Sequence, residues 1–209
     1  MNLFAKIITL LCIGTASAFA ASPNDGRKFV TLHTTSGDIV VELDTQHAPL
    51  TSKNFLDHVT AKDYDSGNFY RTVTPANETN TLAPIQVVQG GTAGDSTPNP
   101  LPFSPILLET TATTHLHHLN GTISMARVAG PANSLDQVNS ATTAFFICVG
   151  DQPNLDFGAK RATDGYGFAA FGKVVSGMDV VKAIQQAPNT NQFIDQPVAI
   201  TSATVNPGR

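Results

Sequence analysis

Gly67-Asn68-Phe69-Tyr70-Arg71-Thr72-Val73 is the stretch on which the reading of this chain turns. Its aromatic and β-branched residues are those of a strand, and an arginine inside a strand ordinarily points to water. Two further segments change that expectation: Gln86-Val87-Val88-Gln89-Gly90-Gly91 and Gly121-Thr122-Ile123-Ser124-Met125-Ala126-Arg127. Apolar strand pieces, a glutamine and a Met-Ala pair recur around Arg71, as they would around an apolar pocket with one cation in its wall. Such a pocket can act on an amide without a nucleophile, metal or cofactor.

On either side of these segments the pattern stays strand-rich. Phe29–Thr34 and Asp38–Leu43 are strand-like and separated by Thr35-Ser36-Gly37, which reads as a β-hairpin. Pro49 stands at the first turn of a helix whose Phe55, Leu56 and Val59 recur at helical spacing. Thr74–Pro84 and Gly90–Pro105 are rich in Thr, Asn, Pro and Gly and read as loops. Strands return at Thr122–Ala126, Phe145–Val149 and Phe168–Val175, the last broken by Gly172 and Gly177. Met178–Ile184 reads as a second helix and Val198–Val205 as a closing strand. Many short strands with two helices and no internal repeat predict a mainly β barrel or sandwich.

The first twenty residues stand apart. Lys6, the apolar run Ile7–Gly14 and Ala18-Phe19-Ala20 follow the order of a secretory signal peptide, and the run is too short to span a bilayer. Cleavage after Ala20 would leave 189 residues, comprising a short extension over 21–28 and one domain over 29–209. Leu11 before Cys12 argues against a lipoprotein anchor. Without Lys6, 11 basic residues face 16 acidic ones with no basic stripe, so nucleic acid is not an expected partner. Cys148 would then be the only cysteine, and Phe145-Phe146-Ile147-Cys148-Val149 marks it as a buried strand residue rather than a nucleophile. Export without a disulfide fits the periplasm of a Gram-negative bacterium, with no membrane association after cleavage.

Other chemistries leave weaker traces. His115 and His117 would share one face of a strand, but no acidic or cysteine ligand stands near them in sequence, so no metal site is expected. His33, Asp44 and several serines permit a hydrolase on paper; no Gly-x-Ser-x-Gly elbow accompanies them.

Phe69-Tyr70-Arg71-Thr72-Val73, Val87-Val88-Gln89-Gly90-Gly91, Gly121–Ala126, Phe145-Phe146-Ile147 and Phe171-Gly172-Lys173-Val174 stand in the order found in cyclophilins. From about Phe29 to Val205 the chain resembles a bacterial periplasmic cyclophilin. Arg127 and Gly177-Met178-Asp179-Val180 are similar to the bacterial branch in particular. The resemblance implies a closed eight-stranded antiparallel β-barrel capped by two helices, and peptidyl-prolyl cis-trans isomerase activity without a cofactor. It implies that Arg71 and Gln89 are catalytic. Val87, Phe146, Leu155, Phe168 and Gln86 would line the substrate pocket, and the strand at Ala126 and Arg127 would hold the peptide by its backbone. Taken by itself, the Arg127 side chain reads as a surface charge.

Expected partners are proline-containing peptides and unfolded exported proteins, and a monomer is expected. Some positions depart from the family pattern. Gln86 replaces a phenylalanine, a place that Ile85 would fill if the register shifts, and Ala144 replaces a glutamine that contacts substrate. Asn154 replaces the aromatic that favours cyclosporin, so weak cyclosporin binding is expected. The segment between Arg71 and Gln89 is about ten residues longer than the common pattern. The same barrel could also serve as a non-catalytic peptide-binding chaperone or adaptor.

The chemistry suits the residues. Amide resonance gives the X–Pro bond a rotation barrier of roughly 18–20 kcal/mol, so uncatalysed exchange takes on the order of 10–100 s. Rotation localises the nitrogen lone pair, and a guanidinium beside it stabilises the rotated state more than the planar one. Arginine suits this task because it stays charged beside apolar groups.

Overall fold

Ile39, Val41 and Leu43 alternate inward along β2 (Gly37–Asp44), which pairs with β1 (Arg27–Thr34) across the two-residue turn Thr35-Ser36. This hairpin opens a computed structural model that describes residues 27–92, 103–128 and 135–207. The signal-peptide reading and part of the Gly90–Pro105 loop lie outside those residues.

The chain continues through α1 (Pro49–Ala61), β3 (Asn68–Val73), β4 (Val87–Gly91), α2 (Thr111–Thr114) and β5 (Thr122–Met125). It is completed by α3 (Leu135–Val138), β6 (Phe145–Cys148), a 3-10 turn at Pro153–Leu155, β7 (Ala169–Ser176), α4 (Met178–Gln185), β8 (Asn189–Thr190) and β9 (Phe193–Asn206). Antiparallel pairing runs β1-β2-β7-β5-β6-β4-β3-β9, and β9 returns to β1. Eight strands therefore close into a barrel, which leaves no long edge exposed. The two-residue β8 adds to β9 outside that ring.

Both helices expected from sequence are present, and α2 and α3 are additional single turns. Pro49 opens α1, but Ala48 supplies no side-chain cap. Glu109 does so from a distant loop: its carboxylate accepts from the Leu50 and Thr51 backbone N–H groups at 3.1 and 2.8 Å. Gly172 does not break β7. A Cβ there would lie 2.3 Å from the Glu42 carbonyl oxygen, so glycine lets β7 pass close to β2. The final strand begins five residues earlier than its apolar run suggested, because β8 offers it a partner at Phe193 and Ile194.

The barrel interior is filled by aromatic rings. Phe55 of α1 lies 5.0 Å from Tyr64, 5.3 Å from Phe171 and 5.6 Å from Phe145, and Phe145 meets Phe69 at 5.7 Å. All five residues are fully buried. A separate apolar cluster lies on the outer face of the same strands. Val73, Val87, Phe146 and Cys148 project there and are covered by Ile85, Leu155, Ala162 and Phe168. Alternation along β6 divides the two: Phe145 and Ile147 face in, Phe146 and Cys148 face out. Cys148 is thus a buried strand residue, and burial pushes its thiol pKa up.

Candidate active site

One irregularity decides where Arg71 points. Phe69 pairs with Gly90 and Arg71 with Gln89, so Tyr70 is an extra residue in β3. In an unbroken strand Arg71 would share the inward face of Phe69. The bulge reverses that parity, and Arg71 and Val73 turn outward while Phe69 stays in the core.

Arg71 enters the wall of a cavity of about 270 Å³. That lies just under the usual range of roughly 300–1,000 Å³ for small-molecule sites, a size suited to one side chain. Val87, Phe146, Leu155 and Phe168 give it an apolar lining, with Ala126 and Ile85 at the sides. Phe146 is fixed on two sides, edge to face with Phe168 at 5.5 Å and stacked on His118 at 5.9 Å.

Among the described residues no carboxylate bonds the Arg71 guanidinium. Its Nη1 donates to Gln89 Oε1 at 2.8 Å, while Nε and Nη2 donate to Gln192 Oε1 at 3.2 and 2.6 Å. Gln89 is held in turn, its Nε2 donating to the Tyr70 hydroxyl at 2.7 Å. Gln192 Nε2 donates to the Asn77 carbonyl at 3.0 Å, which ties the arginine to the long loop after β3. Burial, reinforced by the nearby charge of Arg161, lowers the Arg71 pKa from its ordinary value. An arginine remains protonated at neutral pH even so. The result is an oriented cation in an apolar wall, held by neutral amides.

Arg71, Gln89, Val87, Ala126, Arg127, Phe146, Leu155 and Phe168 all line this one cavity. Gln86 does not. Positions 85, 87 and 89 share a face by strand alternation, so Ile85 takes the place that sequence register offered to Gln86. Gln86 lines a neighbouring groove instead, and its backbone N–H donates to Gln152 Oε1. Asn154 lies in that groove too, donating to the Pro84 carbonyl.

The Arg127 side chain is not a surface charge. It is fully buried and forms a bidentate pair with Asp164, both distances 2.7 Å, while Nε donates to the Gly167 carbonyl. Its guanidinium carbon lies 5.3 Å from the Phe168 ring centre. The hydrogen bonds from Arg127 hold the Asp164 carboxyl below its ordinary pKa. Arg127 therefore clamps the loop that delivers Phe168.

Sequence reading missed three groups. Arg161 is a further guanidinium in the cavity wall, paired with Glu78 at 2.8 Å. Gln192 sits in a left-handed turn with φ 72° that no motif marked. The last is a chain of Asp156, His118 and Ser124. His118 Nδ1 lies 2.6 Å from Asp156 Oδ1, and Nε2 lies 3.0 Å from Ser124 Oγ. The carboxylate favours the proton on Nδ1, leaving Nε2 to accept from the hydroxyl. This resembles a hydrolase triad in connectivity, but Ser124 is fully buried and no substrate can reach it. Its place is behind Phe146, as a support. His117 shares Asp156 at 2.9 Å, and His115 ends α2 in a left-handed conformation rather than lying on a strand. The two histidines do not share a strand face. Among the described residues no group of three or more His, Cys, Asp or Glu is placed to hold a metal, and no helix is long and apolar enough to cross a membrane.

Known proteins share this chain's sequence pattern and its fold. The family described as cyclophilin type peptidyl-prolyl cis-trans isomerase matches residues 29–205. Peptidyl-prolyl cis-trans isomerase A of Dickeya dadantii is 34% identical over 98% of this chain and 97% of its own length. Peptidyl-prolyl cis-trans isomerase B of Escherichia coli is 35% identical over 81% of this chain and 91% of its own. A crystal structure of a Cryptosporidium parvum cyclophilin shares the fold with a TM-score of 0.68, at 19% identity, covering 88% of this chain and 99% of that one. The closed eight-stranded barrel, the motifs in order and these relatives lead to one conclusion: the chain belongs to the cyclophilin-type peptidyl-prolyl cis-trans isomerases.

Proposed function

We propose that Arg71 is the electrostatic catalyst of X–Pro rotation in this enzyme. The observation that carries this reading is a guanidinium in an apolar cavity whose hydrogen-bond partners, among the described residues, are the amide oxygens of Gln89 and Gln192. A charge bound by neutral groups keeps its field available to a substrate, and the amide nitrogen needs that field only as it pyramidalises. Phe146, Val87, Leu155, Phe168 and Ile85 grip the proline ring while the preceding carbonyl swings. The backbone at Ala126 and Arg127 holds the peptide, and Gln89 and Gln192 position the arginine. A Cryptosporidium parvum relative of the same fold was crystallised in the presence of the dipeptide Ala-Pro, which supports a proline-containing ligand here.

The biological role follows from the N-terminal segment. We infer an exported enzyme that assists folding of proteins in the periplasm, acting as a monomer, its signal peptide removed after Ala20. Asn154 in place of an aromatic leads to weak cyclosporin binding, checked by inhibition titration against a cyclophilin that carries the aromatic. Inhibition equally tight would remove this point.

The rival reading is a peptide-binding adaptor without turnover, favoured by Ala144 in place of a glutamine that contacts substrate; with Ile85 lining the cavity, Gln86 does not add to it. Exchange NMR on a short X–Pro peptide separates them. Rapid exchange is expected with the parent, and a loss of roughly 100- to 1,000-fold in kcat/KM for Arg71→Ala, the scale of removing one electrostatic donor. Equal rates for the two forms would refute the assigned role of Arg71, and no acceleration by the parent would favour the adaptor.

A further inference from the structure

Besides Arg71, the cavity wall carries Arg127 and Arg161, and none of its lining residues among those described is an acid. The guanidiniums differ in how they are neutralised. Arg127 has both terminal nitrogens on the Asp164 carboxylate. Arg71 has only amide oxygens. Arg161 is intermediate: Nη1 alone bonds to Glu78 Oε2 at 2.8 Å and to the Ala83 carbonyl at 3.1 Å. Its Nε and Nη2 have no hydrogen-bond partner among the described residues. Among the described residues three cations share two carboxylates, so that part of the wall keeps one net positive charge and an open guanidinium edge.

The position of Arg161 is built rather than accidental. Glu78 is almost fully buried, and besides the arginine its carboxylate accepts from the backbone N–H groups of Asn80 and Ile85 at 2.8 and 3.1 Å. Those bonds fold the loop after β3 so that Ile85 enters the cavity and Arg161 is held beside it. A buried carboxylate that serves one nitrogen of a fork leaves the other two for an external acceptor.

We infer that Arg161 is a specificity-determining residue that selects X–Pro segments carrying a carboxylate side chain, Asp or Glu, next to the proline. The inference rests on the cavity being the site that holds the proline. A carboxylate there meets a fork-shaped donor with two free N–H directions, in a wall already positive by one charge. A lysine at the same substrate position meets that charge unfavourably. Charge complementarity of this kind acts on choice among substrates more than on the chemical step.

The test uses matched short peptides with Glu, Gln or Lys directly before proline, and a fourth with Glu directly after it. Exchange NMR gives kcat/KM for the mature chain, Arg161→Gln, Glu78→Gln and Arg71→Ala. In the parent one of the Glu peptides is expected to exceed the Gln peptide by roughly 2- to 5-fold, the upper part of the range of a partly exposed charge pair. The Lys peptide falls below the Gln peptide. Added salt shrinks both differences. Arg161→Gln removes the Glu preference. Glu78→Gln keeps the loop acceptor but deletes its charge, so the preference rises. Equal rates on Glu and Gln peptides in the parent, a preference surviving Arg161→Gln, or a preference falling in Glu78→Gln would each overturn the inference. The Gln peptide with Arg71→Ala separates the two levels: if its turnover survives that change, the cavity is not the proline site and the inference falls with it.

Discussion

The inner and outer faces of one set of strands make two apolar clusters that are stabilised differently. Inside the barrel, Phe55, Tyr64, Phe69, Phe145 and Phe171 pack against one another with full burial, and ring packing dominates their order, with the Tyr64 hydroxyl also donating to the Thr143 carbonyl at 2.8 Å. Outside, Val73, Val87, Phe146 and Cys148 are buried only because loops fold over them. Those loops are held by polar groups: Glu78 and Asn77 after β3, Asp156 and Asp164 after β6. The inner cluster is made by strand alternation; the outer one is made by hydrogen bonds that happen to cover apolar side chains. A pocket that must admit a proline needs the second kind of construction, since a cluster closed by its own packing leaves no opening.

Neighbouring residues break this comparison most sharply. Phe145→Ala is expected to cost about 3–5 kcal/mol, the usual range for deleting a core aromatic, because it touches Phe55, Tyr64 and Phe69. Phe146→Ala costs less stability, since that ring also borders the cavity, and its main effect is a raised KM for X–Pro peptides. Urea unfolding and exchange kinetics on both variants check this. If Phe146→Ala proves as destabilising as Phe145→Ala, the division of the two clusters is wrong.

The outer cluster has its own weak point. Arg127→Leu leaves the Asp164 carboxylate buried without its cation, at a cost of about 3 kcal/mol. Phe168 loses its clamp, so the variant is expected to lose affinity for substrate as well as stability. Adding Asp164→Leu removes the stranded charge and should recover much of the stability. A double variant no better than the single one would contradict the clamp.

The smallest effect is a pH dependence confined to the support behind Phe146. Burial lowers the His118 pKa below its ordinary 6.5, opposed by its bond to Asp156. Above pH 6.5 the site is neutral in folded and unfolded chains alike and stability is complete. Below it the unfolded chain takes up a proton that the folded site resists, so stability falls as pH drops from 6.5 through the folded value. Burial raises the Asp156 pKa, but hydrogen bonds from His118 and His117 outweigh it and leave the pKa lowered. Its contribution is therefore intact above about pH 3.8 and lost as pH falls through its folded value. Denaturant unfolding at pH 7.5 and 5.5 should show a loss in the parent that shrinks in His118→Gln. An equal loss in both would place the titration elsewhere.

The inner cluster was legible in the sequence because alternation and helical spacing report burial directly, as Ile39, Val41 and Leu43 do. The barrel and its two main helices followed from five motifs in order. The outer cluster was legible only where a side chain belongs to a strand, as with Val87, Gln89 and Phe146. The bulge at Tyr70 turns Arg71 outward, and no residue type announces it. Gln86 was misplaced because a register carried across the lengthened segment ignored period-two alternation. Arg161 and Gln192 escaped notice because their positions depend on acceptors far away in sequence, Glu78 and Asn77. Contacts closed by one long-range hydrogen bond leave no local pattern to read.

Cys148 belongs to the outer cluster, fully buried in β6 with its thiol held protonated by its surroundings. A chain cleaved after Ala20 carries no other sulfhydryl. A thiol-specific dye can therefore react only when the loops that cover the outer cluster lift. The rate of its colour change becomes a clock for opening of that cover, read without introducing a label site.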